Sequence, residues 1–418
     1  MTAEAESWPA GCNWSLHPGS GQSESPAQPA VILGERTGYN QLEILQLQVS
    51  RRPLIRAVAR ATVAHKHADP RRMGVTEDTM KMRFRKQATA AGLTCTMLLV
   101  LASLLVASAR TDDDDKDAPR FSDWSAPVNL GPPVNSAFAE MNPFISKDGL
   151  SLYFACFNCP GNVGGSDIWV SQRASVNDVW GTPQNLGPNI NTSAGEGGPA
   201  LSSDGHSLYF VSNRPGGFGG NDIYVSRRHN KRDDFGWQPA VNLGDGVNSA
   251  ADEGGPAFFE DDETGAVTLY FNSSRPGGLG DSDIYISTLN EVNEHEAFGP
   301  AVLVAELSSP FADQAPAIRR DSLEIFLISN RPGSIPPPPG LPSQTFDLWV
   351  ATRARTSDPW STPVNVEPVV NSAFIDGGPA LSFDGTELYF HSPFRPGNVG
   401  GPMFDIWVTT RTKLKQPD

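Results

Sequence analysis

The chain has 418 residues, including 40 glycines and 36 prolines, and its formal net charge is −15. This length allows one large domain with additional segments, and the many glycines and prolines predict frequent turns. The negative charge argues against nucleic acids and anionic membrane surfaces as partners.

The first 109 residues predict an export signal behind an irregular start. Residues 1–79 contain no repeat, and we interpret them as unstructured or as an over-extended start of the reading frame. Residues 80–109 combine a basic stretch, an apolar core and Ala107-Ser108-Ala109, as a secretory signal peptide does. The alternative is a membrane anchor, although the apolar core at 97–106 is shorter than the roughly 20 residues that a span needs. We therefore expect a periplasmic, envelope-associated or extracellular protein, not inserted in a membrane once the signal is cleaved.

An acidic segment, residues 110–123, follows the signal and contains the run TDDDDKD. Contiguous like charges repel one another and extend the chain. A solvated linker is therefore favoured over a metal site.

From Trp124 to residue 412 the chain repeats one pattern five times, and the copy at 195–228 shows its parts. A short apolar strand a is followed by an Asp-Gly turn and by strand b, SLYFVS. The loop NRPGGFGG leads to strand c, DIYVSR, and a tryptophan then precedes strand d, PAVNL. Repeats of this size made only of short strands predict an all-β propeller with five four-stranded antiparallel blades. The C-terminal tail, residues 413–418, falls outside the pattern.

The two ends of the repeat region lack complementary strands. A strand d at 124–130 has no strands a to c before it, and the last copy ends soon after its strand c. An N-terminal outer strand that completes the last blade would close the ring without a free edge.

These repeats resemble the WD40-like PD40 repeats of the TolB propeller and of envelope proteins with OmpA-type domains, over roughly residues 124–412. The resemblance implies a propeller of four-stranded blades, and it implies no single activity.

Charged residues recur on the face that carries the d–a and b–c loops. Acids precede each strand a, arginines occupy four b–c loops, and an aspartate opens each strand c. The acids are Glu140, Glu196, Glu253, Asp313 and Asp376, the arginines are Arg214, Arg275, Arg331 and Arg395, and the strand c aspartates are Asp167, Asp222, Asp283, Asp347 and Asp405. A residue present in every blade favours a structural role, such as an arginine bridging two carboxylates. The alternative is a ligand-binding ring at the channel mouth, and the acids before strand a are its strongest candidates.

Three places break the symmetry. Blade 1 has Cys156 and Cys159, which in an exported chain predict a local disulfide rather than a redox or zinc site. Blade 3 has an acidic turn at 260–265, where a calcium ion is the alternative to a solvated turn. Blade 4 has a proline-rich loop at 331–346, which predicts a stiff recognition loop or a lid. No other cofactor or metal is predicted.

The repeat alone favours a monomeric binding or scaffold propeller that recognises a protein partner or a glycan through this loop face. The chain contains no G-x-S-x-G, H-E-x-x-H or P-loop motif, so an enzyme is not the first interpretation. The alternative is a glycoside-active enzyme that uses carboxylates at the channel mouth. A purely structural scaffold is a third interpretation.

Overall fold

The computed structural model describes residues 120–262, 264–292, 295–339, 345–366, 368–399 and 401–415. These residues form five antiparallel sheets and one short two-stranded ribbon. None of them belongs to a helix long and apolar enough to cross a membrane. The predictions for residues 1–109 and for most of the acidic linker lie outside the described residues.

Two short strands come before the first complete blade: β1, Arg120–Phe121, and β2, Val128–Asn129. Blade 1 contains β3 to β6, which are Ala139–Ile145, Ser151–Phe157, Ser166–Gln172 and Gln184–Asn185. Blade 2 contains β7 to β10, which are Glu196–Leu201, Ser207–Ser212, Asp222–Arg227 and Val241–Asn242. Blade 3 contains β11 to β15, which are Glu253–Glu260, Val267–Ser273, Asp283–Val292, His295–Phe298 and Val302–Leu303.

Blade 4 contains β16 to β19, which are Asp313–Ile318, Glu324–Ser329, Asp347–Thr352 and Val364–Asn365. Blade 5 contains β20 to β22, which are Gly377–Leu381, Glu387–Ser392 and Asp405–Thr410. The last strand, β23, is Lys413–Leu414 and pairs with β1. Strand d is shorter than its sequence motif suggests, because only two residues of each PAVNL-like segment join the sheet.

The N-terminal strand closes the ring as predicted. The sheet of blade 5 has the order β2-β22-β21-β20, so its outer strand comes from the N-terminal end of the repeat region. Val128 pairs with Val408, and Asn129 pairs with Trp407. The predicted all-β, five-bladed propeller of four-stranded blades is confirmed.

The apolar core lies between adjacent blades, which explains the continuous apolar sequence of strand b. Tyr153 and Ile168 of blade 1 pack with Leu201, Leu208 and Phe210 of blade 2 in one buried cluster. Because neighbouring blades cover both faces of strand b, both sets of its alternating side chains are buried.

Strand a approaches its neighbour closely around the central axis. A register shift interrupts the pairing of β11 with β12 between Gly254 and Ala257, and Gly255 in this bulge has a φ of 52°. A Cβ atom on Gly255 would lie only 2.6 Å from the Cα atom of Ala315 in the next blade. Glycine is therefore required at this position by both conformation and space.

Candidate functional site: the carboxyl ring of the loop face

Each acid of the ring lies within one residue of the start of strand a and is held by a hydroxyl residue four positions earlier. In blade 2 the backbone N–H of Thr192 donates to Glu196 Oε2 at 2.8 Å, and Thr192 Oγ1 donates to Oε1 at 2.7 Å. Ser136, Ser249, Ser309 and Ser372 bind the acids of the other blades through their hydroxyl groups. The five acids are at most 1% exposed.

In four blades an arginine neutralises this buried carboxylate. Arg214 Nη2 lies 3.2 Å from Glu196 Oε1 and donates to the carbonyl oxygen of Ile190 at 2.6 Å. Arg214 Nε donates to Ser212 Oγ at 3.0 Å, and Ser212 Oγ in turn donates to Glu196 at 2.8 Å. The same ion pair recurs as Arg275–Glu253, Arg331–Asp313 and Arg395–Asp376. We call this arrangement the Glu/Asp–Ser–Arg clamp.

The strand c aspartates hold their own b–c loops by hydrogen bonds. Asp222 accepts hydrogen bonds from Gly219 N at 3.1 Å and from Asn242 Nδ2 at 2.9 Å, so it joins its own b–c loop to strand d. Asp167, Asp283, Asp347 and Asp405 accept bonds from b–c loop amides in the same way. We predicted that each arginine bridges two carboxylates. In the observed clamp the arginine instead joins one carboxylate to a backbone carbonyl oxygen. The strand c aspartate is not bridged by the arginine, because it accepts hydrogen bonds from its own b–c loop.

Blade 1 departs from the clamp at both of its partner residues. Cys156 stands where the other blades have the clamp serine, and Cys159 stands where they have the arginine. The structure joins the two cysteines by a disulfide bond. Cys156 Sγ lies 3.5 Å from Glu140 Oε1. Among the described residues, Glu140 has no guanidinium partner.

The pKa of Glu140 reflects this change. Burial raises the pKa from 4.5 to about 7, and the nearby Asp405 carboxyl adds to the rise. The hydrogen bonds from Ser136 oppose the rise without cancelling it. Glu140 is therefore protonated to a substantial extent at neutral pH.

Glu140 should make the stability of the domain depend on pH. Because the pKa of Glu140 is higher in the folded state, its contribution is fully present below pH 4.5 and is lost as the pH rises through about 7. We expect the free energy of unfolding of the natural chain to fall by about 3 kcal/mol relative to Glu140→Gln across this window. Denaturant titrations at pH 4 to 8 measure this difference in the free energy of unfolding. Glu306→Gln on the exposed surface is the control for a lost charge. Parallel curves for the natural chain and Glu140→Gln would contradict the expectation.

Two more titratable groups lie at the seam where blade 5 meets blade 1. Burial raises the pKa of Asp405, whose Oδ1 atom is buried without a hydrogen-bond partner. Asp405 Oδ2 accepts from Asn129 Nδ2 at 2.6 Å and from Val399 N at 2.7 Å. Burial lowers the pKa of His391 to about 3, and its Nδ1 accepts from Asn142 N at 3.1 Å. His391 is thus a neutral link between the two blades.

The other symmetry breaks hold no organised site in the residues that the structure covers. In the acidic turn of blade 3, Asp261 Oδ1 accepts from Thr264 N at 2.7 Å, and Asp262 forms an exposed ion pair with Arg320. Glu263 lies outside the described residues, so the calcium alternative stays a prediction. Residues 340–344 of the proline-rich loop also lie outside them, and its role as a recognition loop or lid stays a prediction.

Comparisons with family models and with curated proteins find no match. Among solved structures, an α-L-arabinofuranosidase from Lactobacillus brevis is similar over 68% of this chain and 93% of its own, with 17% identity and a TM-score of 0.46. The native arabinanase of Bacillus subtilis matches over 69% and 97%, with 13% identity and a TM-score of 0.44. An α-L-arabinofuranosidase from Podospora anserina, solved with cellotriose, matches over 70% and 98%, with 11% identity and a TM-score of 0.40.

Two predictions are corrected here. The predicted resemblance to the WD40-like PD40 family is wrong: no family model matches, and the similar solved structures are glycoside hydrolases. The binding or scaffold function is corrected as well: the similar solved structures are glycoside hydrolases.

Sequence reasoning found the acids and the arginines but missed their hydroxyl partners. The signal was available, because a serine or threonine stands four residues before the acid in all five copies. The asparagine of strand d was also missed, although it recurs in the VNL-like segments and binds the strand c aspartate through Asn129, Asn185, Asn242 and Asn365.

Proposed function

We propose that this protein is an exported glycoside-active enzyme whose proton donor is Glu140. The observation that carries the proposal is geometric: Glu140 is the ring carboxyl that no described guanidinium neutralises. Arginine clamps pair with the other four ring acids and enclose them, so we exclude these acids from the chemistry.

Glycoside hydrolysis needs a protonated acid beside a second carboxylate. Glu140 supplies the acid, and its pKa of about 7 suits proton donation near neutral pH. We assign the second carboxylate to Asp405, whose charge acts on Glu140 and whose Oδ1 atom has no hydrogen-bond partner. The backbone keeps the two residues adjacent, because Glu140 N donates to the carbonyl oxygen of Phe404 at 2.9 Å.

Access to Glu140 requires a local movement. Glu140 is 1% exposed and is hydrogen-bonded by Ser136 of the segment 136–138, in which Ala137 is exposed and Phe138 is half-buried. In this proposal a sugar on the loop face displaces that segment and meets the carboxyl group behind it. The substrate is a neutral glycan, since the chain carries net negative charge.

The test is hydrolysis of aryl glycosides by the purified full-length chain. The panel includes arabinofuranosides and xylosides, each with a good and a poor leaving group. We expect Glu140→Gln to lose about 10²–10⁴-fold in kcat/KM on the poor leaving group and much less on the good one, because a good leaving group needs no proton.

A matched pair of variants tests the second carboxylate. Asp405→Asn and Asp347→Asn remove equivalent strand c aspartates, each with a free buried Oδ1 atom, but only Asp405 acts electrostatically on Glu140. We expect activity to fall in Asp405→Asn and to survive in Asp347→Asn. Absence of turnover on the whole panel, or equal loss of activity in both aspartate variants, would refute the proposal.

A further inference from the structure

In blade 1, Cys156 and Cys159 replace the serine and the arginine of the clamp, so the atoms around the carboxylate of Glu140 differ from those in the other blades. In the clamp the carboxylate and the serine hydroxyl surround a guanidinium group, which also binds a carbonyl oxygen such as that of Ile190. Blade 1 keeps the carboxylate and the equivalent carbonyl residue, Val134, but it has sulfur at both remaining positions. The cation is therefore missing, while two strong metal-ligating atoms have been gained.

The three donor groups already lie together. Ligand atoms of Glu140, Cys156 and Cys159 are all within 4.8 Å of one another, and all three residues are buried. The Cα atoms of the cysteines are 5.8 Å apart. Two thiolates and a carboxylate are ligands that Zn²⁺ accepts at about 2.0–2.3 Å, in a tetrahedral arrangement with room for a fourth ligand.

We propose that the reduced form of blade 1 binds one Zn²⁺ ion through Glu140, Cys156 and Cys159, at the place where the other blades hold a guanidinium. A dithiol reductant supplies the two electrons and two protons that convert the disulfide to two thiols, and it becomes a disulfide itself. Zinc then displaces the two thiol protons. The ion compensates the buried charge that an arginine compensates elsewhere in the ring.

The disulfide also determines whether this metal site can form. In the oxidised form the sulfur atoms are bonded to each other and cannot act as thiolate ligands, so the metal site exists only after reduction. The inference does not depend on the proposed glycoside activity, because zinc binding is measured without substrate. If both proposals hold, zinc inhibits the reduced enzyme by occupying Glu140 and leaves the oxidised enzyme unaffected.

The experiment measures Zn²⁺ binding to the full-length chain in the Cys12→Ser/Cys95→Ser background, which leaves one cysteine pair. The protein is reduced with dithiothreitol, desalted under nitrogen and titrated with Zn²⁺ against a chromophoric chelator. We expect one ion per reduced chain and none per oxidised chain. Co²⁺ in place of Zn²⁺ should show thiolate-to-metal charge-transfer absorption.

Two variants locate the ion. Cys156→Ser/Cys159→Ser should bind no zinc. Glu140→Gln should bind at least about tenfold more weakly, since loss of even an outer partner of a metal ligand weakens binding by that amount. Glu196→Gln, at the equivalent position of blade 2, is the matched control and should bind as the parent does.

The inference would be overturned by no binding by the reduced chain, equal binding by the double serine variant, or equal affinity of Glu140→Gln and the parent. Circular dichroism is recorded on every reduced sample. An unfolded reduced chain would also contradict the inference, because the site requires the folded pairing of β3 with β4 that sets Glu140 opposite Cys156.

Discussion

Deletion of residues 120–131 will destabilise the whole domain, and the largest local effect will fall in blade 5. This segment supplies the outer strand of that blade, and Asn129 Nδ2 binds Asp405 at 2.6 Å. Trp124 packs edge to face on Phe326 at 6.0 Å, and the Arg411 guanidinium lies 4.3 Å from the centre of the Trp124 ring. Truncation of a buried tryptophan costs about 3–5 kcal/mol. Trp124 is half-buried, so we expect its loss to contribute at the lower end of this range, against a typical total of about 5–15 kcal/mol.

Hydrogen exchange on the truncated chain will show where protection is lost. Strand β22, Asp405–Thr410, should lose protection before strand β9, Asp222–Arg227, because removal of β2 exposes the ladder edge of β22. Val128→Ala is the matched point variant, since this side chain is 63% exposed and should matter little. Equal protection of β22 and β9 in the truncated chain would show that the N-terminal strand does not hold the ring closed.

Replacement of the blade 5 arginine, Arg395→Met, will cost about 3–5 kcal/mol, the range for removing one partner of a buried ion pair. Arg395 Nη2 lies 2.6 Å from Asp376 Oδ1, and Asp376 is fully buried. Burial already raises the pKa of Asp376, and Arg395 opposes that rise. The variant therefore leaves blade 5 with an acid that has no cation partner, as in blade 1.

The loss in Arg395→Met should be larger at pH 8 than at pH 5, because protonation of Asp376 relieves the uncompensated charge. Denaturant titrations at both pH values measure this difference. Arg320→Met is the matched control: this arginine pairs with Asp262 on the surface, where an ion pair contributes about 0–1 kcal/mol. A loss in Arg395→Met no larger than that in Arg320→Met would mean that the clamp does not stabilise the blade.

Repetition explains why so much of the fold was predictable. Strands b and c recur with the same apolar pattern in five copies, so an error in one copy would have been visible against the other four. The complementary ends of the repeat region predicted the pairing of β2 with β22, which the structure contains. The hairpin of β13 with β14 was missed because it occurs only in blade 3.

The candidate site was less predictable, because its chemistry depends on contacts between segments. The sequence showed Cys159 in place of an arginine, but it did not show that Glu140 lies opposite Cys156 in the pairing of β3 with β4. Burial of the ring acids was also hidden, since charged residues beside glycine-rich loops are usually exposed. The backbone conformation of Ala315 was also not predictable from the sequence. Its φ of 47° is rare for a residue with a side chain, and its N–H donates to Asn272 Oδ1 of the preceding blade.

The measurement that tests the central claim most directly is the titration of the Glu140 carboxyl group by carbon-13 NMR. Glutamate labelling of the full-length chain, with Glu140→Gln to assign the signal, follows this group from pH 3 to 9. A midpoint at about 7 is predicted, because the carboxyl group is buried without a guanidinium partner. A midpoint near the ordinary value of 4.5 would contradict the account, since Glu140 would then be ionised at neutral pH and could not serve as the proton donor.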